Sequence, residues 1–475
     1  MDDEDRTGKA GPYTPLRTIT TEHGGGAECR LQCGKHIPKV LDGRGLSLTD
    51  RFPTGTTWAW TLVDKTQQQS PIYAGQSVGE PSRNNRMIIS FVCPRLLMIG
   101  GGSVARLNEV LAQLALSRPL VVTDPWMVSS GMVEKALGPL RAAGFAPAVF
   151  SETVPDPTDT VVEAGVALLR LGDYDCLIGF GGGSPMDTAK AMAILAAAPA
   201  GARMREFKVP AQANRAALPV IGVPTTAGTG SEATRFTVIT DTEHDEKMLI
   251  AGLGALPIAA VVDHELTLTL PPRITADSGI DSLTHALEAF VSRMANPESD
   301  ACALRAMQLI APNLRTAYRE PHNEPARAAM MKGATLAGLA FSNSSVALVH
   351  GMSRPIGAHF HVPHGLSNAM LLPAVTAYSL NAALNRYATA ARAMGIAQAG
   401  ESDSSAGEKL LEELASLNRD LAVPSPPAFG IDPQHWEELL PTMAEQALAS
   451  GSPANNPLVP GAEEIIALYR HAWSG

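Results

Sequence analysis

Four residues between positions 281 and 364 carry side chains that commonly bind metal ions. Asp281 and His285 are four residues apart in a stretch whose apolar residues recur at helical spacing. Because positions i and i+4 of a helix share a face, the carboxylate and the imidazole are expected to point the same way. His350 and His364 follow in a second stretch, where proline and glycine predict a loop that returns the later histidine to the earlier one.

Three imidazoles and one carboxylate form a donor set that suits Fe(II), Zn(II), Mn(II) or Co(II) better than Ca(II) or Cu(I). The spacing does not choose among the first four metals. A single histidine in a chain with 12 is more often an ordinary surface or core residue. The joint pattern of Asp281, His285, His350 and His364 nevertheless favours a metal site.

Arg354 lies four residues after His350 and faces the same way if a helix continues through Pro355. A guanidinium stays protonated near neutral pH, so it cannot relay a proton. It can bind a carboxylate or phosphonate through two parallel hydrogen bonds. The ordinary alternative is that Arg354 reaches solvent or pairs with a structural acid.

A glycine triplet between a predicted strand and a predicted helix is a candidate phosphate site. The backbone of Gly181, Gly182 and Gly183 can approach a ligand closely, and its N–H groups meet the positive end of the helix that follows. Asp124 ends an earlier strand and precedes the glycines, whereas the common dinucleotide fingerprint has its acid about 20 residues downstream. A lone triplet is more often a tight turn, which is our interpretation of Gly100–Gly102.

A second polar loop follows the next predicted strand. It contains Thr225, Thr226 and Ser231, whose hydroxyls can line a polar ligand. Lys247 precedes another predicted strand and can place a positive charge near a phosphate or ribose, although a surface lysine is the ordinary reading. An unspecialised loop is also compatible with this segment.

Apolar strand-like runs alternate with amphipathic helices from residue 87 to 268, and helical patterns dominate from 269 to 475. We therefore predict an α/β domain with a Rossmann-like parallel sheet, followed by an all-α domain that holds the metal ligands. A ligand of the first domain would face the metal across a cleft. Residues 1–86 show neither the alternation of a strand nor the helical spacing of apolar residues. We expect a poorly ordered extension or a start codon assigned too early.

Composition narrows the function further. The 475 residues carry a net charge of −10 and no basic run, which disfavours nucleic acid and favours a small-molecule partner. No apolar run reaches the length of a membrane span, and the first 30 residues lack the apolar core of a secretion signal. Five scattered cysteines fit a reducing compartment, so a cytoplasmic location is expected.

Four motifs make the chain resemble the iron-containing (group III) alcohol dehydrogenases, which share a two-domain fold with glycerol dehydrogenase and, distantly, dehydroquinate synthase. The resemblance covers about residues 90–475. One departure concerns the position four residues after the third ligand, where many relatives carry a second histidine and this chain has Arg354. A proton-relay role for that histidine does not carry over. The motifs are GGGSPMDTAK, PTTAGTGSE, GIDSLTHALE and HGMSRPIGAHFHVPHG.

The resemblance implies a role for each matching residue. Asp281, His285, His350 and His364 correspond to the metal ligands, and the metal is expected to be Fe(II), with Zn(II) as the alternative. Asp124 corresponds to an acid that meets the adenosine ribose of NAD, and its charge would repel the extra phosphate of NADP. The remaining positions that match cofactor contacts are Gly182, Gly183, Ser184, Asp187, Thr225, Thr226, Ser231 and Lys247.

The activity implied is hydride transfer between NAD and a primary alcohol or hydroxy acid, with the metal acting as a Lewis acid on the alcohol oxygen. A homodimer or higher homo-oligomer is expected. The alternatives are an NAD-dependent lyase or cyclase of the dehydroquinate synthase type, a maleylacetate reductase-like or phosphonoacetaldehyde reductase-like enzyme, a metal hydrolase, and a non-catalytic NAD sensor. The sensor is disfavoured because no ligand position is lost.

Overall fold

The computed structural model describes residues 88–474. The expectations for residues 1–86 therefore lie outside the described residues. Within 88–474, every strand falls between Leu96 and Val262. The regular elements that follow Val262 are all helices. The predicted order of an α/β part followed by a helical part is confirmed.

Six parallel strands form one sheet in the order β1-β8-β5-β4-β2-β3, and β6 and β7 form a separate antiparallel pair. Every residue of β2, β4, β5 and β8 is buried, as expected for a parallel sheet covered on both faces. The strands are β1 (Leu96–Ile99), β2 (Pro119–Val122), β3 (Ala148–Phe150), β4 (Cys176–Gly181), β5 (Val220–Pro224), β6 (Phe236–Asp241), β7 (Glu246–Ala251) and β8 (Ala259–Val262).

Helices cover the two faces of the sheet and enclose two apolar clusters. Adjacent residues of β4 divide between them, with Leu177 in one cluster and Ile178 in the other. This division follows from the alternation of side chains along a strand. The helices of this part are α1 (Leu107–Gln113), α2 (Pro125–Ser129), α3 (Met132–Ala142), α4 (Asp159–Leu171) and α5 (Gly183–Ala196).

The helix predicted after the glycine triplet, α5, begins within it, at Gly183. Pro185 lies in the first turn, where its missing N–H costs no intrahelical hydrogen bond. The three glycines therefore end β4 (Gly181), precede α5 (Gly182) and begin it (Gly183).

The β6 strand was not predicted. It pairs with β7 from Phe236 opposite Ala251 to Asp241 opposite Glu246. Its buried residues alternate with partly exposed ones, which is the pattern of a strand with one covered face.

The helical part packs around one large apolar cluster. Its central helix, α6, starts at Pro272, nine residues before Asp281, and the fixed φ angle of proline suits the first helical position. The helices are α6 (Pro272–Val291), α7 (Pro297–Ile310), α8 (Leu314–Arg319), α9 (Glu324–Asn343), α10 (Leu348–Phe360), α11 (His364–Ser379), α12 (Leu384–Ala393), α13 (Asp403–Asp420), α14 (Pro426–Phe429), α15 (Pro433–Ala449) and α16 (Ala462–Ser474).

The loop predicted before the fourth ligand is a short connection between two helices. Helix α10 continues through Pro355 to Phe360, and α11 begins at His364. Only three residues connect the two helices, and the first of them, His361, has a left-handed conformation with φ of 54°. This residue ends α10 and reverses the chain, so His364 becomes the first residue of the next helix.

No helix among residues 88–474 combines the length and the apolar character that crossing a membrane would require.

Candidate active site

Helix α6 supplies the first two predicted ligands. Asp281 and His285 are one turn apart and both are buried, and His285 Nε2 lies 3.8 Å from Asp281 Oδ1. Sixteen of the twenty residues of α6 are buried, which explains why polar ligands on this helix point into protein and not into solvent.

The α10–α11 hairpin brings the other two histidines to the same carboxylate. His350 Nε2 lies 3.4 Å from Asp281 Oδ1, and His364 Nε2 lies 3.8 Å from it. Gly365 permits this approach, because a Cβ there would overlap the carbonyl group of Asp277 on α6. The ligand atoms of Asp281, His285 and His350 lie within 4.8 Å of one another.

Asn368 marks the point on which these atoms converge. Its Nδ2 donates to Asp281 Oδ1 at 2.7 Å, and lies 3.2 Å from His350 Nε2 and 3.3 Å from His364 Nε2. Three acceptor atoms thus aim at one position, and Asn368 Oδ1 has no partner among the described residues. This donor set fits a divalent cation. The sequence reasoning missed Asn368, although it follows His364 by four residues on one helix face.

Glu288 lies behind His350 and was also missed. Its Oε2 is 2.6 Å from His350 Nδ1, and its two oxygens accept hydrogen bonds from the backbone N–H groups of Ala347 and Val349. A carboxylate in this place holds the proton on Nδ1 and leaves Nε2 free for a metal. The signal was present, since Asp281, His285 and Glu288 recur at helical spacing on one face of α6.

The charges of the cluster suit cation binding. Burial lowers the pKa of His285 to about 3, so its imidazole is neutral at physiological pH. Burial acts to raise the pKa of Asp281, but the surrounding histidines, His285 foremost, hold it below its usual range. Burial opposes protonation of His350 too, yet the neighbouring Glu288 and Asp281 carboxylates raise the pKa of His350 above normal. The Asp281 carboxylate therefore faces a neutral His285 and a His350 whose Nδ1 is paired with Glu288.

Aromatic stacking fixes the ring of His285. Its centroid lies 4.3 Å from that of Phe341 and 4.4 Å from that of His350, with both rings nearly parallel to it. The ring is therefore held between two flat surfaces, which restricts its rotation.

The other histidines of α10 lie outside the cluster. His359 Nε2 pairs with Gln446 Oε1 at 2.9 Å, and His361 is the exposed residue that ends the helix. Arg354 is partly buried, and its Nη1 donates to Ser452 Oγ at 3.1 Å. No carboxylate within residues 88–474 lies within 4.0 Å of its guanidinium.

The glycine segment leaves the start of α5 without a side-chain cap. Gly181 has φ of 146°, a conformation that L side chains rarely adopt, and Gly182 caps α5 without any side-chain hydrogen bond. The first N–H groups of α5, from Gly183 and Ser184, therefore have no side-chain cap. Free N–H groups at the start of a 14-residue helix form an anion site.

Two hydroxyls beside this helix start lack partners. Thr225 Oγ1 and Thr226 Oγ1 are buried and make no hydrogen bond with the described residues. A Cβ on Gly182 would lie within 3.8 Å of the Thr226 side chain, so the two segments face each other. Unsatisfied hydroxyls next to uncapped N–H groups fit the polar groups of a nucleotide diphosphate.

Asp187 and Ser231 join the two segments to each other. Ser231 Oγ donates to Asp187 Oδ1 at 2.6 Å, and the N–H of Val238 donates to Asp187 Oδ2 at 2.9 Å. Lys190 is fully buried and donates to Ser231 Oγ at 2.8 Å. Asp187 and Ser231, which were predicted to contact the cofactor, thus hold the loop that carries Thr225 and Thr226.

Asp124 and Lys247 flank these segments. Strands β2 and β4 are paired neighbours, with Val122 opposite Gly179, so Asp124 emerges at the same sheet edge as the glycines. Its carboxylate also caps α2 by accepting from the N–H of Met127 at 2.9 Å. Lys247 Nζ donates to Asp156 Oδ1 at 2.8 Å.

Comparison with known families decides the identity of this fold. Residues 94–264 match the family model described as iron-containing alcohol dehydrogenase, and residues 275–473 match the C-terminal model of the same family. The chain belongs to the iron-containing alcohol dehydrogenase family. The resemblance predicted from the motifs is confirmed, and so is an oxidoreductase activity on CH–OH groups.

Individual relatives match over almost their whole length. The lactaldehyde reductase of Escherichia coli K12 is 35% identical over 389 residues, which is 82% of this chain and all of the relative. The NAD-dependent methanol dehydrogenase of Bacillus methanolicus is 34% identical over 384 residues, covering 81% of this chain and 99% of the relative. A crystal structure of 1,3-propanediol oxidoreductase superimposes with a TM-score of 0.77 at 35% identity, covering 81% and 100% of the two chains.

Proposed function

We propose that this iron-containing alcohol dehydrogenase binds one Fe(II) ion through Asp281, His285, His350 and His364. The observation that carries the proposal is the convergence of acceptor atoms from Asp281, His350 and His364 on the single position taken by Asn368 Nδ2. A set with three nitrogens and one oxygen suits Fe(II), and Zn(II) can use the same donors.

We further propose that NAD binds along residues 87–268, while residues 269–475 hold the metal and the alcohol. The helix start at Gly182, the unpartnered Thr225 and Thr226 hydroxyls, and Asp124 at the neighbouring strand end support this division. The α5 N–H groups would hold the pyrophosphate, and Asp124 would accept hydrogen bonds from the ribose hydroxyls.

When both groups are bound, the metal supplies Lewis acidity at the alcohol or aldehyde oxygen and the nicotinamide supplies a hydride acceptor or donor. Glu288 holds the proton of His350 on Nδ1 and keeps the coordinating nitrogen aimed at Asp281. Phe341 stacks on the ring of His285 and restricts its rotation. Arg354 keeps its proton, so the substrate proton must leave through solvent or a cofactor hydroxyl.

The two parts pack closely against each other at the loop that carries Thr225 and Thr226. Gly230 of the Thr225–Glu232 loop lies against Gly338 of α9, and a Cβ on either glycine would collide with the backbone of the other. Gly228 of the same loop lies against Ser278 of α6, the helix of Asp281 and His285, so the loop is set directly against a helix that holds two of the proposed ligands. This contact would position the two reactants without a flexible linker.

The direct test is turnover of NADH with a panel of short-chain aldehydes. Enzyme stripped by a chelator should be inactive and should regain activity with Fe(II), because the oxygen to be polarised needs the cation. His350→Ala should abolish the regained activity. His359→Ala should retain it, because His359 bonds to Gln446 outside the cluster. Full turnover by the stripped enzyme or by His350→Ala would reject the proposed site.

A further inference from the structure

Arg354 occupies a position from which it can meet a substrate held at the metal ligands. It follows His350 by one turn of α10, a rise of about 6 Å along the helix axis. Residues four apart share a helix face, so the Arg354 side chain leaves α10 on the side where His350 meets Asp281. Helix α10 is regular here despite Pro355, so this relation holds over the whole turn.

The guanidinium of Arg354 has no carboxylate of residues 88–474 within 4.0 Å, and the charge of Glu288 acts on it from farther away. Other partly buried arginines of the helical part pair with carboxylates, as Arg386 does with Asp300 and Arg392 with Asp403. Arg354 makes one hydrogen bond to the described residues, from Nη1 to the Ser452 hydroxyl. Its Nε and Nη2 donate to none of the described residues.

The Ser452 contact orients the guanidinium. Ser452 is buried in the 3-10 helix Ser452–Asn455, which lies so close to α10 that a Cβ on Gly351 would come within 2.8 Å of Pro453. With Nη1 held by this rigid partner, the free edge of the side chain is the Nε and Nη2 pair. These two N–H groups are parallel and match the two oxygens of a carboxylate.

We infer that Arg354 binds a carboxylate carried by the substrate, which makes the enzyme a reductase of short aldehydes that bear an acid group at the far end. The inference rests on the proposed function, because it takes the reacting carbonyl to lie at the metal ligands. The reverse reaction oxidises the matching hydroxy acids.

A monoanion fits better than a dianion. One free guanidinium edge supplies a single positive charge and two donors, which a carboxylate satisfies fully. Lys247, whose Nζ lies near Gly357 of α10, already donates to Asp156 at 2.8 Å. A phosphonate carries more charge than this site neutralises.

The experiment compares butanal with succinic semialdehyde, which has the same chain length and adds the carboxylate. The parent enzyme should reduce succinic semialdehyde with the higher kcat/KM. In Arg354→Met the ratio of the two kcat/KM values should fall by about tenfold to a hundredfold, mainly through KM, because a charge-assisted pair is lost. Arg354→Lys should recover part of the ratio, and the exposed Arg305→Met on α7 should leave it unchanged.

An equal effect of Arg354→Met on both aldehydes would overturn the inference while the proposed function stands. A parent enzyme that reduces neither aldehyde with added Fe(II) would instead overturn the proposed function. A preference for the phosphonate analogue of succinic semialdehyde over succinic semialdehyde would overturn the assignment of a monoanion. As a measurement independent of turnover on the acid, succinate should compete with butanal in the parent and lose that inhibition in Arg354→Met.

Discussion

The carboxylate of Glu288 lies 2.6 Å from Nδ1 of His350, although the two residues are 62 positions apart. The same carboxylate accepts the first free N–H groups of α10, so one side chain both caps the helix and orients the histidine at its start. Because the ring of His350 is already oriented, metal binding at Nε2 need not restrict its rotation further.

Glu288→Gln tests this role because it keeps the size of the side chain and removes its charge. We expect Fe(II) affinity to fall about tenfold to a hundredfold. Metal titration of the stripped protein measures the change, and Glu298→Gln on the exposed start of α7 is the control. Unchanged metal affinity in a folded Glu288→Gln protein would show that Glu288 only caps α10.

The choice of cofactor should depend on Asp124. Its carboxylate also caps α2, so Asp124→Ser removes the charge while serine retains the capping oxygen. We expect the parent to favour NADH over NADPH and Asp124→Ser to use NADPH at least tenfold better than the parent does, an estimate of roughly 1.4 kcal/mol for removing one repulsion.

Asp432→Ser is the matched control, since Asp432 caps α15 in the same way far from the glycine segment. Steady-state kinetics with both cofactors give the comparison. Equal kcat/KM for NADH and NADPH in the parent would contradict the role of Asp124.

Lys190 should make stability depend on pH in a defined direction. Burial lowers its pKa to about 8 from the usual 10.5. Between these values the unfolded chain binds more protons than the folded chain, so the free energy of unfolding should increase as pH rises from about 8 to about 10.5. Denaturant titration of the parent and of Lys190→Met should show this increase in the parent alone.

Lys190→Met should also lower the free energy of unfolding by about 3 to 5 kcal/mol, because it leaves Asp187 buried without its nearby cation. Lys135→Met on the exposed side of α3 should change it little. A Lys190→Met protein as stable as the parent would mean that Asp187 and Ser231 hold the cofactor loop without the lysine.

The parts of the site that follow local rules could be predicted from the sequence. Asp281 and His285 share a helix face by spacing alone, and the buried strand before Gly181 is a continuous apolar run. These features depend on residues within a few positions of one another, which is the range over which periodicity carries information.

Features that depend on long-range packing could not be predicted in this way. The pairing of Glu288 with His350 and of Arg354 with Ser452 joins segments 62 and 98 positions apart. A loop before His364 was predicted, but its shortness depends on a non-glycine residue, His361, in a left-handed conformation, which the sequence pattern does not indicate. A periodic pattern indicates which face of a helix is buried, but it does not identify the element that packs against that face.

Anomalous X-ray diffraction at the iron absorption edge, from crystals of the Fe(II)-loaded protein, tests the metal site most directly. We expect one peak per chain, at about 2 Å from an oxygen of Asp281 and from Nε2 of His285, His350 and His364. The Asn368 amide should be turned aside. A peak bound by other residues, or no peak in crystals of protein that turns over NADH, would contradict the proposed site.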